Sequence, residues 1–346
     1  MKRITRIVSL TAASAALSVL AERQFVASPH YRGPRSGHFD GSHFHNLGNA
    51  PHAGGSFIKW MMNRERGIWR DWTDAAYGPP PPARVDGGRI RVTFINHATL
   101  LVQMDGLNIL TDPIWSDRTS PVGFAGPKRH RPPGLRMADL PPIDAVLVSH
   151  NHYDHLDIPT LRQLRRQSSP AIITPLGNGL LMARHGLGGV RELDWWRETR
   201  LSDRVRVTVV PSQHFSARSF SDRDANLWGG FVISGPSGSV YFAGDTGWGP
   251  HFEQIAKRFS PIRLALLPIG AFRPKWFMHP VHISPDEAVE AHKILGAETS
   301  VAMHFGTFSL GDDGEDEPVE TLERAIAAAG HPRFWVLGFG EGREVP

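Results

Sequence analysis

The alternation of apolar segments predicts an α/β fold for this chain. Short runs rich in β-branched residues, such as residues 143–148, alternate with amphipathic segments such as residues 285–295, which is typical of sheets covered by helices. An Asp105-Gly106 turn between apolar runs indicates a β-hairpin. With 346 residues, 40% of them hydrophobic and 21% charged, the chain can form one large domain preceded by an N-terminal segment.

The first 21 residues have the pattern of a secretory signal peptide. Three basic residues among the first six precede a short apolar run over residues 7–21, and a small residue, Ala21, could flank a cleavage site. The run is too short and too rich in Ser and Thr for a membrane span. We therefore expect export, to the periplasm or the membrane of a bacterium. An uncleaved anchor and a cytosolic extension are the alternatives.

Residues 22–84 are predicted to form an N-terminal arm. Residues 28–56 are rich in Gly, Ser, His and Asn, which favours an extended path with loop histidines. Residues 57–72 predict a short amphipathic helix that packs either on the domain surface or against a membrane. The polyproline run at 79–82 marks the boundary, so we expect the main domain to occupy residues 85–346.

The main domain is predicted to contain two groups of strands with helices between them. A long loop over residues 113–142 carries the basic cluster Lys128-Arg129-His130-Arg131, which would either face a phosphate or lie in solvent. Strands are predicted at 91–95, 100–104, 107–110, 143–148, 171–174, 204–210, 229–234, 239–243 and 264–268, and helices at 160–166, 178–185, 252–259, 285–295 and 319–329.

Metal-binding side chains follow the strand predicted at residues 143–148. In extended backbone His150 and His152 point the same way, so both can bind one metal ion. Asp154 and His155 come where the chain turns and can bind a second ion. Nitrogen and carboxylate ligands without thiolate suit zinc, although iron or manganese also fits. The density of this motif behind a strand favours a metal site over a polar surface loop.

The motif resembles the metallo-β-lactamase superfamily, and three later segments extend the resemblance. They are Ser212-Gln213-His214, Gly244-Asp245-Thr246-Gly247 and Met303-His304-Phe305-Gly306-Thr307, and each follows an apolar run. The resemblance implies a four-layer αββα sandwich that holds two zinc ions per chain, other divalent ions being possible. It implies that His150, His152 and His214 bind one ion, that Asp154, His155 and His304 bind the other, and that Asp245 bridges them.

The resemblance also implies catalytic roles. A hydroxide held between the two ions would be the nucleophile, with Asp154 and Asp245 holding the ions. His282 would protonate the leaving alcohol or hold phosphate, a structural role being the alternative. His97 is expected to fix a loop, and Asp112, which ends the third strand, has no expected ligand role.

The segments between the motifs resemble one branch, the N-acylphosphatidylethanolamine-hydrolysing phospholipase D family with its bacterial relatives. Glu192-Leu193-Asp194-Trp195-Trp196 and Val281-His282-Ile283-Ser284-Pro285-Asp286-Glu287-Ala288 carry this likeness within residues 85–346. Asn96 departs from the Gly that is common in the family. The branch implies a phosphodiesterase acting on a phospholipid, with contact to a membrane surface possible. Four aromatic residues would line an apolar groove or belong to the core: Trp195, Trp196, Trp276 and Phe277.

Composition narrows the other possible functions. A net charge of +4 is compatible with anionic substrates but too weak to indicate a nucleic-acid partner. The absence of cysteine excludes disulfides, thiolate ligands and cysteine nucleophiles. A lactonase of the ascorbate-6-phosphate type would share the metal ligands, and a non-catalytic metal-binding or regulatory protein of the cell envelope is a further alternative. Neither the oligomeric state nor the head group follows from the sequence.

Overall fold

Two seven-stranded sheets pack face to face in the computed structural model, which describes residues 26–49 and 57–346. The first sheet has the order β14-β1-β2-β3-β4-β5-β6 and the second β13-β12-β11-β10-β9-β8-β7. The strands are β1 (Ile90–Asn96), β2 (Thr99–Met104), β3 (Leu107–Thr111), β4 (Ala145–Leu147), β5 (Ala171–Pro175), β6 (Arg191–Leu193), β7 (Glu198–Arg200), β8 (Arg206–Val210), β9 (Gly230–Gly235), β10 (Gly238–Phe242), β11 (Ile262–Pro268), β12 (Ala297–Met303), β13 (Phe334–Trp335) and β14 (Gly342–Val345).

Each sheet is antiparallel in one half and parallel in the other. In the first sheet the strands from β14 to β3 are antiparallel, and β3 to β6 are parallel. In the second sheet β7 to β10 are antiparallel, and β10 to β13 are parallel. The carboxyl ends of parallel strands open at one edge of a sheet, which is where the loops with the metal-binding motifs begin.

The described residues contain seven α-helices. They are α1 (Phe57–Met62), α2 (Ile158–Ser168), α3 (Asn178–Arg184), α4 (His251–Phe259), α5 (Lys275–Met278), α6 (Pro285–Leu295) and α7 (Glu317–Ala328). Helix α6 begins at Pro285, as the sequence predicts. Its N-cap residue is Ser284, whose backbone N–H donates to the Glu287 carboxylate at 2.9 Å. Within the described ranges, none of these helices has the length and apolarity that a bilayer span needs.

The alternation of side chains places the first sheet between two apolar layers. Leu100 and Val102 of β2 lie in the core between the sheets, whereas Leu101 points to the other face. There it joins a second cluster with Leu161 and Leu164 of α2. Helix α6 covers β11 and β12 of the second sheet and α7 packs against α6; Val289 of α6 and Leu322 of α7 belong to the core. The predicted four-layer αββα sandwich is therefore confirmed.

The helix predicted over residues 57–72 is wrong beyond Met62. The following residues run along the loop at residues 311–316: Arg64 Nε donates to Asp312 Oδ1 at 2.7 Å, and the Glu315 N–H donates to the Ile68 carbonyl at 2.9 Å. A Cβ atom at Gly67 would come within 2.3 Å of the Gly314 nitrogen. Contacts with this distant loop therefore override the amphipathic pattern.

The N-terminal arm packs more closely than its composition predicts. The side chains of Phe39 and Phe44 are buried in the core between the sheets, and Tyr31 packs against them. The proposed signal peptide at residues 1–21 lies outside the described residues. The sequence did not predict four short edge strands, β6, β7, β13 and β14. Strands of two to four residues carry little periodic signal.

Candidate metal centre

Three histidines converge at the carboxyl ends of β4 and β8. His150 and His152 follow β4, and His214 follows β8. The Nδ1 atom of His152 lies 2.8 Å from Nε2 of His150 and 3.3 Å from Nε2 of His214. Three nitrogen atoms so close together, on buried or half-buried rings, form one potential metal site.

A second group of ligand atoms lies beside the first. Asp154 and His155 close the β4 loop, and His304 follows β12. The Oδ2 atom of Asp154 lies 3.2 Å from His155 Nε2 and 3.5 Å from His304 Nε2. These side chains form a second potential metal site, which draws on both sheets.

Asp245, at the end of the β10 strand, lies between the two groups. Its Oδ2 atom is 3.2 Å from both His155 Nε2 and His304 Nε2. The same oxygen is 3.8 Å from His214 Nε2 and 4.0 Å from His150 Nε2. One carboxylate thus contacts both potential metal sites, the position that the sequence resemblance implies for the bridging ligand.

Hydrogen bonds on the far side of the rings fix the orientation of two ligands. His155 Nδ1 donates to Asp112 Oδ2 at 2.6 Å, and His214 Nδ1 donates to the Val281 carbonyl at 2.9 Å. Asp112 also accepts hydrogen bonds from Ser149, from N–H at 2.7 Å and from Oγ at 2.6 Å. Asp112 therefore holds His155 in place, a role that its strand-end position alone did not indicate.

His97 lies outside the 150–155 motif but contacts two residues of the centre. Its carbonyl accepts the His304 N–H at 2.7 Å, and its Nε2 atom lies 2.9 Å from Asp154 Oδ2. Both His97 and His304 have positive φ, at 48° and 62°, a backbone strain that non-glycine residues adopt where surrounding structure imposes it. The expected loop-fixing role of His97 agrees with these contacts.

Asn46 of the N-terminal arm contacts the centre, which the sequence did not predict. The side chain of Asn46 pairs with the backbone of His214: Nδ2 donates to the His214 carbonyl at 2.7 Å, and Oδ1 accepts the His214 N–H at 3.0 Å. Trp228 Nε1 also donates to Asn46 Oδ1, at 3.1 Å. An asparagine in a Gly- and His-rich segment gave no signal of this contact, which joins residues 168 positions apart.

Burial and the two carboxylates set the charges of the centre. Burial lowers the pKa of His152 and of His214 to about 3, so both rings are neutral and able to bind metal. Burial alone would raise the pKa of Asp245, but the neighbouring His155 and His304 hold it well below its usual range. Burial opposes a charged His304, yet Asp245 and Asp154 raise its pKa to about 9. The centre therefore attracts positive charge.

The donor atoms fit divalent cations. His155 Nε2, His304 Nε2 and Asp245 Oδ1 are buried and have no hydrogen-bond partner within the described ranges. Buried polar atoms without partners are uncommon, and here they are in the right place to bind a metal ion. Imidazole nitrogens and carboxylate oxygens that converge from several loops match the ligands that zinc prefers.

Comparisons with known proteins identify the family of this chain. The family profile described as "Beta-lactamase superfamily domain" matches residues 107–305, more than half of the chain. The chain belongs to this superfamily. Its relatives include metal-dependent hydrolases. The chain is therefore a metal-dependent hydrolase of the metallo-β-lactamase fold. The prediction that it is an enzyme is confirmed, which sets aside the non-catalytic envelope protein.

Individual relatives support the resemblance to the phospholipase D family as well as the fold. The chain is 40% identical over 230 residues to N-acyl-phosphatidylethanolamine-hydrolyzing phospholipase D 1 of Caenorhabditis elegans, an alignment that spans 63% of this chain and 64% of that protein. It is 30% identical over 241 residues to a metal-dependent hydrolase of Methanopyrus kandleri, across 68% and 94% of the two chains. The predicted resemblance to the phospholipase D family is confirmed.

A solved structure shares the fold of this superfamily member. The metallo hydrolase Igni18 of the archaeon Ignicoccus hospitalis superposes with a TM-score of 0.57 at 22% identity. The match covers 75% of this chain and 99% of that protein. At this identity the likeness concerns the fold alone.

The last predicted catalytic residue of the hydrolase, His282, lies at the edge of the centre. Its Nδ1 atom is 4.0 Å from Asp245 Oδ2 and has no hydrogen-bond partner in the described part of the chain. Its ring stands 5.2 Å from that of His214, centre to centre. His282 therefore faces Asp245, and no described side chain forms a hydrogen bond with its Nδ1 atom.

Two of the four residues in the basic cluster at 128–131, Arg129 and Arg131, serve the fold instead of binding a substrate phosphate. Arg129 is buried, donates to the Ser116 carbonyl at 3.0 Å and lies over the Phe308 ring. Arg131 pairs with Glu315 and lies 4.4 Å over the Phe339 ring. Neither guanidinium is free in solvent or available to phosphate, so the expectation for these two side chains is wrong.

The four aromatic residues proposed for a groove divide between two environments. Trp195 is buried in the core and donates from Nε1 to the Trp228 carbonyl at 2.7 Å. Trp196 is half-buried, with the Arg258 guanidinium 3.8 Å over its ring. Phe277 is buried in a small cluster, whereas Trp276 is exposed. The core interpretation thus holds for Trp195 and Phe277.

Proposed function

We propose that this hydrolase is a binuclear zinc phosphodiesterase that cleaves a phospholipid of the N-acylphosphatidylethanolamine type. The position of Asp245 carries this proposal, because its Oδ2 atom contacts ligand atoms of both potential metal sites. The 40% identity to a phospholipase D that hydrolyses N-acylphosphatidylethanolamine supports the choice of substrate.

Two metal ions would be held by the seven side chains of the centre. One ion would bind His150, His152 and His214, and the other Asp154, His155 and His304, with Asp245 between them. Bound divalent ions would supply an activated water and stabilise negative charge on the phosphoryl oxygens. The chain itself fixes the ligand geometry through Asp112, His97 and the Val281 carbonyl.

His282 is proposed to hold the phosphodiester. Burial lowers the pKa of its imidazole to about 3, so the ring is neutral and presents one N–H donor. That donor can bind a phosphoryl oxygen or the oxygen of the leaving alcohol. Attack of water at phosphorus breaks the bond to N-acylethanolamine, and the proton from water passes to this alcohol, which leaves phosphatidate.

The products of hydrolysis test the proposal. Protein loaded with zinc is incubated with N-acylphosphatidylethanolamine in ¹⁸O-labelled water, and the lipids are analysed by mass spectrometry. We expect N-acylethanolamine and phosphatidate with ¹⁸O in the phosphate. Diacylglycerol would indicate cleavage of the other phosphoester bond, and activity on lactones alone would identify the lactonase alternative. Elemental analysis of the same sample should return two zinc ions per chain.

We also propose that the protein is exported. The support is the basic start and short apolar run of residues 1–21. Mass spectrometry of the protein from its native cell fraction should find a chain that begins near residue 22. An intact Met1 in a cytosolic fraction would contradict export.

A further inference from the structure

Helix α1 turns its apolar side away from the protein. Phe57, Ile58, Met61 and Met62 are all exposed, with Ile58 at 73% and Met62 at 80%. Residues four apart are neighbours on a helix surface, so the pairs Phe57/Met61 and Ile58/Met62 form one continuous apolar face. Amphipathic helices of globular proteins normally bury that face, so its exposure indicates a binding surface.

The opposite side of α1 fixes this orientation. Trp60 is buried, stacks on Phe277 of α5 at 4.7 Å between ring centres and donates from Nε1 to Asp312 Oδ2 at 3.2 Å. The Arg64 guanidinium lies 4.3 Å over the same indole and pairs with Asp312. These contacts anchor the helix through Trp60, with the ring of Phe57 also near Phe277, and leave Ile58 and Met62 fully outward.

Cations and a second tryptophan border the apolar face. The Nζ atom of Lys59 lies 5.2 Å over the ring of Trp276, which is 49% exposed. Lys275, the neighbour of Trp276, has a side chain that is 69% exposed, with Nζ 4.0 Å from Glu287. Exposed apolar side chains, an interfacial tryptophan and lysines together match the chemistry of an anionic bilayer surface.

The same loop links this face to the metal centre. Helix α5 carries Trp276 and Phe277, and the chain continues directly to Val281 and His282. The Val281 carbonyl orients the ligand His214, and His282 faces Asp245. A surface that contacts a bilayer here would therefore be joined to the metal centre by residues 277–282.

We propose that Phe57, Ile58, Met61, Met62 and Trp276, with Lys59 and Lys275, form a docking surface for anionic phospholipid bilayers. The apolar side chains enter the interface between head groups and acyl chains, while the lysines contact the lipid phosphates. The purpose of this docking, delivery of lipid to the centre, rests on the proposed phospholipase function. The docking itself does not depend on that function.

Vesicle binding tests the surface. The zinc-loaded protein is sedimented with vesicles of phosphatidylcholine alone and with 30% phosphatidylglycerol. The double variant Ile58→Ser/Met62→Ser should lower the partition coefficient at least about tenfold on both, because it removes two inserted apolar side chains. Lys59→Gln should lower it about fivefold on the anionic vesicles only. Leu180→Ser, which changes another exposed apolar residue in α3, should leave binding unchanged.

Hydrolysis of bis(p-nitrophenyl) phosphate separates docking from catalysis. This soluble phosphodiester needs no bilayer, so all three variants should retain wild-type turnover. Unchanged vesicle binding by the double variant would overturn the proposal. It would also be overturned if the wild-type protein were a dimer and the double variant a monomer, because the apolar face would then bind a second copy of the chain. Normal docking without cleavage of N-acylphosphatidylethanolamine would refute the proposed function and leave the docking surface standing.

Discussion

The contact between Asn46 and His214 provides a direct test of whether the arm belongs to the metal centre. The Asn46→Ala variant removes the acceptor for the His214 N–H and the donor for the His214 carbonyl, both in buried surroundings. Trp228 Nε1 loses one acceptor but keeps the Ser212 carbonyl at 3.1 Å. Two backbone groups are therefore left without partners.

The magnitude follows from these two groups. Each buried polar group that loses its partner costs about 1–3 kcal/mol, so the free energy of unfolding should fall by about 2–6 kcal/mol. The freed backbone should also let the His214 ring move relative to His150 and His152. Loss of a group that orients a metal ligand typically weakens metal binding about 10–100-fold.

Two measurements check this prediction. Urea unfolding followed by circular dichroism gives the change in stability, and competition with a zinc chelator gives the change in affinity. Asn63→Ala is the matched control, because Asn63 donates to the Lys59 carbonyl at the surface, and it should alter stability by less than about 0.5 kcal/mol. An Asn46→Ala variant that matched the control in both measurements would refute the reasoning.

Four further substitutions test other parts of the structure. Asp245→Asn should fold, bind fewer than two ions by elemental analysis and lose about 10²–10³ in turnover; normal turnover with two ions would refute the bridging role. Asp112→Asn should weaken zinc binding about 10–100-fold in a chelator titration, because the carboxylate accepts at both oxygens, from His155 and Ser149 Oγ at Oδ2 and from the Ser149 N–H at Oδ1, whereas an amide has only one accepting oxygen. His282→Ala should keep both ions while turnover falls about 10²–10³, and loss of an ion would make it a ligand. Phe44→Ala should lower the free energy of unfolding by about 3–5 kcal/mol in urea, since its ring is fully buried; a change below 1 kcal/mol would show that the arm is not part of the core.

Most residues of the potential metal sites could be located from the sequence because their signals are local. His150, His152, Asp154 and His155 lie within six positions behind an apolar strand, so ligand type and spacing are visible without any tertiary information. Helix α6 was predictable for the same reason, since its capping residues and apolar periodicity lie within its own segment. The four-layer order came from family resemblance, because periodicity alone indicates only α/β.

The tertiary structure decided the local conformations and side-chain roles that depend on residues far away in the sequence. Residues 63–70 follow the loop at 311–316 instead of extending a helix, because hydrogen bonds from that loop satisfy their backbone. Arg129 is buried by contacts that the charge pattern of its own loop could not reveal. Asp112 and Asn46 orient metal ligands that lie 43 and 168 residues away. A short-range pattern records the chemistry of a side chain, whereas its role at this centre is set by the groups that folding brings within hydrogen-bond distance.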